Sequence, residues 1–179
     1  MLSLFSFMSR GRETARQGAW IYNSIVEQAR RPEFYQALDV ADTMDGRFDL
    51  IVLHAGLYMP RLKMVRNDGK RLSQAMFDHM FANLEFNLRE LGLGDMGVPR
   101  HMKGMVQAFY GRVSAYEAAL KDGDATALRS ALHRNVYRNA DVDAARVDSL
   151  ASYVRAASES LQAADDTVIV AGAFEWPAP

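Results

Sequence analysis

The stretch that decides the fold of this 179-residue chain is residues 86–111, FNLRELGLGDMGVPRHMKGMVQAFYG. Its first part has the apolar spacing of a helix, and Gly92 and Gly94 interrupt that pattern, because glycine is common where a helix ends. Pro99 follows at a position typical of the first turn of a new helix. The sequence therefore predicts two helices joined by a short corner, with the rest of the chain packed around it.

Helical spacing of apolar residues recurs on both sides of this corner. The predicted helices cover residues 12–30, 32–40, 46–59, 72–91, 99–121, 125–139 and 142–164. The run that ends at Met59 is apolar on nearly all sides, which is typical of a central, buried helix. We therefore predict an all-α fold, a single compact bundle of six to seven helices.

The two ends of the chain differ from the bundle in composition. Residues 1–11 begin with MLSLFSFM, which favours a docked or frayed terminus, or an amphipathic tether on a membrane surface. They lack the basic start and the cleavage site of a signal peptide. Residues 12–166 predict the helical domain, and residues 167–179 an extended, apolar C-terminal tail. Trp176 in this tail either packs over the bundle or contacts a partner.

The composition excludes several classes of function. Without cysteine the chain has no disulfide, thiolate nucleophile or cysteine-ligated metal. With 21 Lys+Arg and 22 Asp+Glu, its net charge of -1 produces no overall field for nucleic acid or an anionic membrane. It also contains no nucleophile elbow, phosphate-binding loop or dinucleotide fingerprint. We therefore expect no catalytic site, no cofactor and no metal, and we do not expect an enzyme.

Two polar features have both a structural and a functional interpretation. His54 stands alone among aliphatic residues without a second ligand at metal-binding spacing, which favours a structural, hydrogen-bonded histidine. The densest basic stretch is either a solvated helix end and turn or a contact for lipid, RNA or an acidic partner, and it contains Arg61, Lys63, Arg66, Lys70 and Arg71. No aromatic residue is interleaved with these cations, which argues against single-stranded nucleic acid.

Small residues share one face of the predicted helix 99–121, namely Gly104, Ala108, Gly111, Ala115 and Ala118. Glycine inside a helix costs about 1 kcal/mol relative to alanine, so this face predicts a packing or binding role. We expect a tight internal helix crossing, with a groove for a partner segment as the alternative.

Trp20 lies opposite the apolar stripe of the first helix, and we expect it to be buried in a second contact rather than exposed as an anchor for a partner.

Four blocks of the sequence occur in a recognisable order: 42–48 (DTMDGRF), 53–54 (LH) with 61–62 (RL), 88–95 (LRELGLGD) and 109–112 (FYGR). Together they resemble the ubiquinol-cytochrome c chaperone family over most of the chain. The chain differs from the family pattern at Asn83, where acidic residues are frequent, and at Arg100, where lysine is common. Several residues of the first two blocks are expected to be structural: Asp42, Gly46, Arg47, Phe48 and His54.

The resemblance implies an assembly chaperone that binds newly made cytochrome b and promotes assembly of ubiquinol-cytochrome c reductase, respiratory complex III. It also implies contact with the ribosome near its exit tunnel and a small partner subunit, with a homo-oligomer as the alternative. Because the chain has no convincing transit peptide, we expect a bacterial-type member. Its expected location is the cytoplasm, with peripheral contact at the cytoplasmic face of the inner membrane.

We place the predicted client-binding surface on the corner and the helix that follows it. Its candidates are charged, apolar and small residues: Arg89, Glu90, Gly92, Gly94, Asp95, Arg100, Met102, Lys103, Met105, Phe109, Gly111 and Arg112. Two alternatives stay open. One is a small-ligand protein that holds a lipid, a quinone or haem in a cavity near His54 and His79. The other is an adaptor that binds the ribosome or RNA through the basic stretch.

Overall fold

A computed structural model of the chain describes residues 2–90, 92 and 97–179, with side chains from residue 11 onward. All regular secondary structure in these residues is α-helical, which confirms the predicted fold class. The helices are α1 (Leu2–Ala29), α2 (Pro32–Gln36), α3 (Met44–Met64), α4 (Gly69–Glu90), α5 (Val98–Lys121), α6 (Ala125–Asn135), α7 (Ala144–Ala163) and α8 (Asp166–Ala171).

Helix α3 forms the centre of the bundle. Every residue from position 49 to position 59 is buried, and α1, α4, α5, α7 and α8 pack around it. The hydroxyl of Thr43 caps its start by accepting a hydrogen bond from the Gly46 amide at 3.1 Å. The predicted central helix is confirmed, but it continues through Pro60 to Met64, into the stretch that we interpreted as a solvated helix end.

Helices α1 and α4 lie side by side and run in the same direction. Near their starts, Arg71 Nη2 donates to Thr14 Oγ1 at 2.8 Å. Further along, the rings of Tyr22 and His79 meet edge to face with their centroids 5.5 Å apart. In each pair the two residues are 57 positions apart in the sequence, so the alignment of α1 with α4 is the same along both helices. Helix α1 begins at Leu2, ten residues before the predicted start.

The predicted corner between α4 and α5 is present. Gly92 has a left-handed φ of 84°, and its amide donates to the Arg89 carbonyl at 2.9 Å, as in a glycine-terminated helix end. Pro99 lies in the first turn of α5, where its missing amide hydrogen leaves no helical hydrogen bond unmade. Gly94 and Asp95 of the predicted surface lie outside the described residues.

The C-terminal segment is only partly extended. Residues that we predicted as the start of the tail form the short helix α8, which ends at Gly172 with a left-handed φ of 66°. Beyond it, Phe174 is buried and its ring meets that of Trp176 edge to face at 5.1 Å. The tail thus packs on the bundle, and Trp176 contacts Tyr58 of α3 rather than projecting from it.

Candidate protein-binding site

A buried carboxylate fixes the position of α5 on the bundle. The side chain of Asp49 in α3 has no exposed area, and it pairs with Arg112 Nη1 of α5 at 2.8 Å and with Arg138 Nε at 2.7 Å. Burial raises the pKa of Asp49, and the two arginines oppose this shift. Arg138 follows α6 and also pairs with Asp45 at 2.7 Å. We call these four residues the Asp49 cluster, and it joins three parts of the chain.

Arg112 is therefore not available to a client, which corrects our prediction. Its side chain is only 15% exposed, and its guanidinium lies 5.6 Å from the ring centroid of Phe48 in addition to pairing with Asp49. Sequence reasoning missed Asp49 as the partner. The available signal was an acid at the start of an otherwise apolar run, because a buried charge needs an opposite charge beside it.

Phe109 is likewise unavailable, because it is fully buried. Its ring meets Phe77 and Phe81 of α4 at centroid distances of 5.4 and 5.9 Å. Met102 and Met105 are partly buried and pack against the same core. These three predicted client-binding residues thus belong mainly to the inner face of α5, and Phe109 holds this helix against α4.

The opposite side of α5 is exposed. Residues three and four positions apart form one surface, which we call the outer face of α5: Arg100, Lys103, Gly104, Gln107, Tyr110 and Gly111. A Cβ atom added at Gly104 or Gly111 would meet nothing within 4 Å. The tight internal crossing that we predicted is therefore absent at the two glycines of the strip, whereas Ala115 of the same strip packs against the core.

Close helix crossings occur at other glycines. A Cβ atom at Gly18 of α1 would lie 2.7 Å from the carbonyl carbon of Ala75 in α4. One at Gly56 of α3 would lie 2.9 Å from Val113 Cγ2 in α5. These two positions need glycine for packing, so the glycines of the outer face of α5 are left without an internal packing reason.

An aromatic side chain stands beside this open strip. Tyr110 is 52% exposed, and its ring stacks on Phe77 with a centroid distance of 5.6 Å and an interplanar angle of 29°. Across the corner, Arg89 pairs with Glu85 at 2.9 Å, and Glu90 and Gly92 are exposed. The site thus combines a supported ring, small residues and cations.

Comparisons with known proteins show which family the chain belongs to. The family model described as ubiquinol-cytochrome C chaperone matches residues 36–176. The chain belongs to this family. Its members are assembly factors of ubiquinol-cytochrome c reductase, as the names of the curated relatives state. The resemblance carried by the four sequence blocks is therefore confirmed.

A solved structure and two curated relatives show how far the similarity extends. The crystal structure of the Cbp3 homolog from Brucella abortus matches with a TM-score of 0.84 and 36% identity over 99% of this chain and 96% of that chain. Ubiquinol-cytochrome-c reductase complex assembly factor 1 is 24% identical in Xenopus laevis and 23% in Homo sapiens, each over 87% of this chain. The matched region spans 78% of the frog protein and 52% of the human one.

His54, which belongs to a family block, is enclosed in the core. Its Nδ1 donates to the Leu50 carbonyl at 2.7 Å, so Nε2 accepts from the hydroxyl of Tyr153, also at 2.7 Å. Burial lowers the pKa of His54 to about 4, which keeps the ring neutral at physiological pH. Rings of Phe34 and Trp176 cover it at 5.2 and 4.9 Å. Because both ring nitrogens of His54 are hydrogen-bonded, neither is free to coordinate the iron of haem.

Other family-block residues also have structural surroundings. Asp42 Oδ1 accepts from Arg47 Nε at 2.7 Å on the surface. A Cβ atom at Gly46 would lie 2.0 Å from the Ala41 carbonyl oxygen, so only glycine fits there. A cleft of about 610 Å³ lies between α6 and α7 beside His133, and neither His54 nor His79 lines it.

The basic stretch divides into a buried and an exposed part. Arg61 is 7% exposed, donates to the carbonyls of Leu161 and Ala164 at 3.0 and 2.6 Å, and pairs with Asp166 at 2.7 Å. It therefore anchors the end of α7 and the start of α8 to α3, and our placement of Arg61 on the surface is wrong. The exposed cations are Lys63, Arg66, Lys70 and Arg71.

Trp20 also differs from expectation. It is 58% exposed, with the Arg16 guanidinium 5.6 Å from its ring centroid, so it is not buried in a second contact as we predicted. Among the described residues, no group of three or more His, Cys, Asp or Glu side chains could hold a metal ion. In that same part of the chain, no helix has the length and apolarity needed to span a membrane.

Proposed function

We propose that this chain is an assembly chaperone that binds newly made cytochrome b through the outer face of α5. The observation that carries the proposal is the open space at Gly104 and Gly111, where an added Cβ atom would meet nothing within 4 Å. Family membership supports the wider role in assembly of ubiquinol-cytochrome c reductase.

The strip suits a helical client. Small residues let the backbone of a second helix approach closely, which is how helices of membrane proteins commonly pack against each other. Interior glycines weaken a helix by about 1 kcal/mol each, and neither Gly104 nor Gly111 gains an internal contact in return. A partner helix in contact with this strip would supply the missing packing.

The surroundings of the strip suit the ends of such a client. Tyr110 offers apolar area that is already oriented by its stacking on Phe77, and tyrosine is frequent among residues that dominate binding energy. Arg100 and Lys103 are exposed near the start of α5 and would meet the polar loops of the client. Arg89 and Glu90 extend this polar border across the corner.

Rigid support improves such a site, because less freedom is lost on binding. Arg112 follows Gly111 directly, and its ion pair with Asp49 holds this turn of α5 against α3. Phe109 does the same towards α4. Two predicted client-binding residues thus support the site from beneath.

Capture of cytochrome b from host membranes tests the proposal. Gly104→Leu and Gly111→Leu place a side chain on the strip at positions where the Cβ atom meets nothing within 4 Å, and Tyr110→Ala removes the exposed ring. Ala156→Leu, at an exposed position of α7, is the matched control. We expect each of the first three variants to lower recovery of cytochrome b about tenfold or more, as loss of a dominant contact does.

Circular dichroism and thermal unfolding show whether each variant is folded. Full recovery of cytochrome b by folded Gly104→Leu, Gly111→Leu and Tyr110→Ala chains would remove the outer face of α5 as the binding surface. Equal loss with Ala156→Leu would mean that the assay reports general damage rather than this face.

A further inference from the structure

The register of α1 and α4 leaves the start of α1 beyond its neighbour. Because the paired positions differ by 57, the first residue of α4, Gly69, lies beside residue 12. Residues 2–11 are helical and therefore continue past the start of α4. At about 1.5 Å per residue they extend roughly 15 Å beyond it.

This overhanging segment has an unusual sequence for a chain with a net charge of -1. Residues 1–12 read MLSLFSFMSRGR, with six large apolar residues, two arginines and no acid. This composition is typical of helices that lie in a bilayer interface, which combine apolar residues with Arg or Lys. The segment is too short to cross a membrane, which takes about 20 apolar residues.

Cations from another part of the chain lie at the same end of the bundle. The turn between α3 and α4 brings exposed basic side chains beside the start of α1, and Arg71 reaches Thr14 directly at 2.8 Å. Met64, the last residue of α3, is 67% exposed. Residues 61–71 contain one acid, Asp68, which pairs with Arg71 at 3.2 Å. The exposed basic residues around this turn are Arg12, Lys63, Arg66, Lys70 and Arg71.

We propose that this end of the bundle, formed by residues 2–12 and 63–71, is a docking surface for an anionic lipid membrane. The apolar start of α1 and Met64 enter the interface, while the cations meet lipid phosphates. Several basic residues next to an apolar helix are typical of binding to anionic lipid. This surface is separate from the outer face of α5, so both can be occupied together.

The same residues favour a lipid surface over nucleic acid. Proteins that bind single-stranded nucleic acid place aromatic side chains between their cations for base stacking. Residues 61–71, which supply four of the five exposed cations, contain no aromatic residue, and Phe5 and Phe7 belong to residues 1–8, which contain no cation. An apolar helix start and an exposed methionine would contribute nothing to phosphate contacts on RNA. They do contribute to a membrane interface, where apolar area is transferred out of water.

Flotation with lipid vesicles tests the docking surface on the full chain. We expect binding to vesicles of phosphatidylcholine with phosphatidylglycerol, weaker binding to phosphatidylcholine alone, and a decrease with added salt. Each basic residue near an anionic surface contributes roughly a fivefold change in partitioning. The triple variant Lys63→Glu/Arg66→Glu/Lys70→Glu should therefore bind about 100-fold more weakly. The control Lys121→Glu/Arg134→Glu/Arg155→Glu changes the same charge at exposed positions elsewhere.

A second variant isolates the apolar part of the surface. Phe5→Asp/Phe7→Asp should lose binding to anionic vesicles while circular dichroism and thermal unfolding stay close to those of the natural chain. Failure of the natural chain to float with anionic vesicles would overturn the proposal, as would equal weakening by both triple variants. Co-sedimentation with ribosomes in the absence of vesicle binding would assign the surface to nucleic acid instead.

Discussion

Gly111 and Arg112 are adjacent in the chain, yet they belong to different sides of α5 and have different structural requirements. Arg112 turns inward to Asp49, where any change disturbs a buried ion pair. Gly111 faces outward, where a side chain would meet nothing within 4 Å. The residues on the inner side of α5 are therefore required by packing within the bundle. The residues on its outer side are not, so contact with a partner can determine them.

The largest effect is expected from breaking the inner side. Arg112→Ala leaves the fully buried Asp49 with Arg138 as its remaining counter-ion. Removing one partner of a buried pair typically costs about 3 to 5 kcal/mol when the other charge is left unpaired, so we expect the lower end of this range. Urea denaturation followed by circular dichroism measures this change in the free energy of unfolding. A cost below that of an exposed pair would mean that the Asp49 cluster does not fix α5.

The buried His54 should give the fold a specific dependence on pH. Its pKa is about 4 in the folded chain and near 6.5 in the unfolded chain, so only the unfolded chain takes up the proton between these values. Stability contributed by this residue is therefore complete above pH 6.5 and falls by up to about 3 kcal/mol as the pH approaches 4.

His54→Gln cannot take up this proton, so it should flatten that part of the pH profile. The measurement is the difference between the urea midpoints of natural chain and variant at pH 7 and pH 5, since the remaining acids are common to both. A constant difference across this range would contradict the assigned pKa.

Substitutions on the outer side should stabilise the chain. Gly104→Ala and Gly111→Ala add a methyl group into open space and remove the entropy cost of glycine in a helix. Each should raise the free energy of unfolding by about 0.5 to 1 kcal/mol. Gly56→Ala is the matched contrast, because its new methyl group would lie 2.9 Å from Val113 Cγ2. Destabilisation at Gly104 or Gly111 would show that the strip carries an internal contact.

The smallest effect is expected at the border of the outer face. Arg89→Ala breaks the exposed pair with Glu85, four residues earlier, and such pairs contribute about 0.3 to 0.5 kcal/mol. The same urea assay applies. A loss as large as that of Arg112→Ala would remove the distinction between the buried and the exposed pair.

Local sequence patterns were sufficient to predict much of the fold and the family. The corner between α4 and α5 follows from Gly92 and Pro99, because both act on the backbone where they stand. The central position of α3 follows from its apolar run, and the family follows from short blocks in order. The pair of Glu85 and Arg89 was likewise predictable from their spacing of four residues.

The roles of individual side chains were less predictable. Arg61, Arg112 and Phe109 are types that occur both at binding surfaces and in interiors, and a sequence does not state which neighbour each will meet. The same holds for Gly104 and Gly111, where an added Cβ atom would meet nothing within 4 Å, and for Gly56, where it would lie 2.9 Å from Val113 Cγ2.

The sequence by itself determined α1 to α7 apart from the first ten residues of α1, their main breaks and the family, since propensity and periodicity act over a few residues. Only the tertiary structure decided which face of α5 is covered and which of the arginines are buried. It also decided that the start of α1 and the basic turn lie at one end of the bundle. Those facts depend on contacts between residues that are about 30 to 105 positions apart, and local patterns carry no information about such pairs.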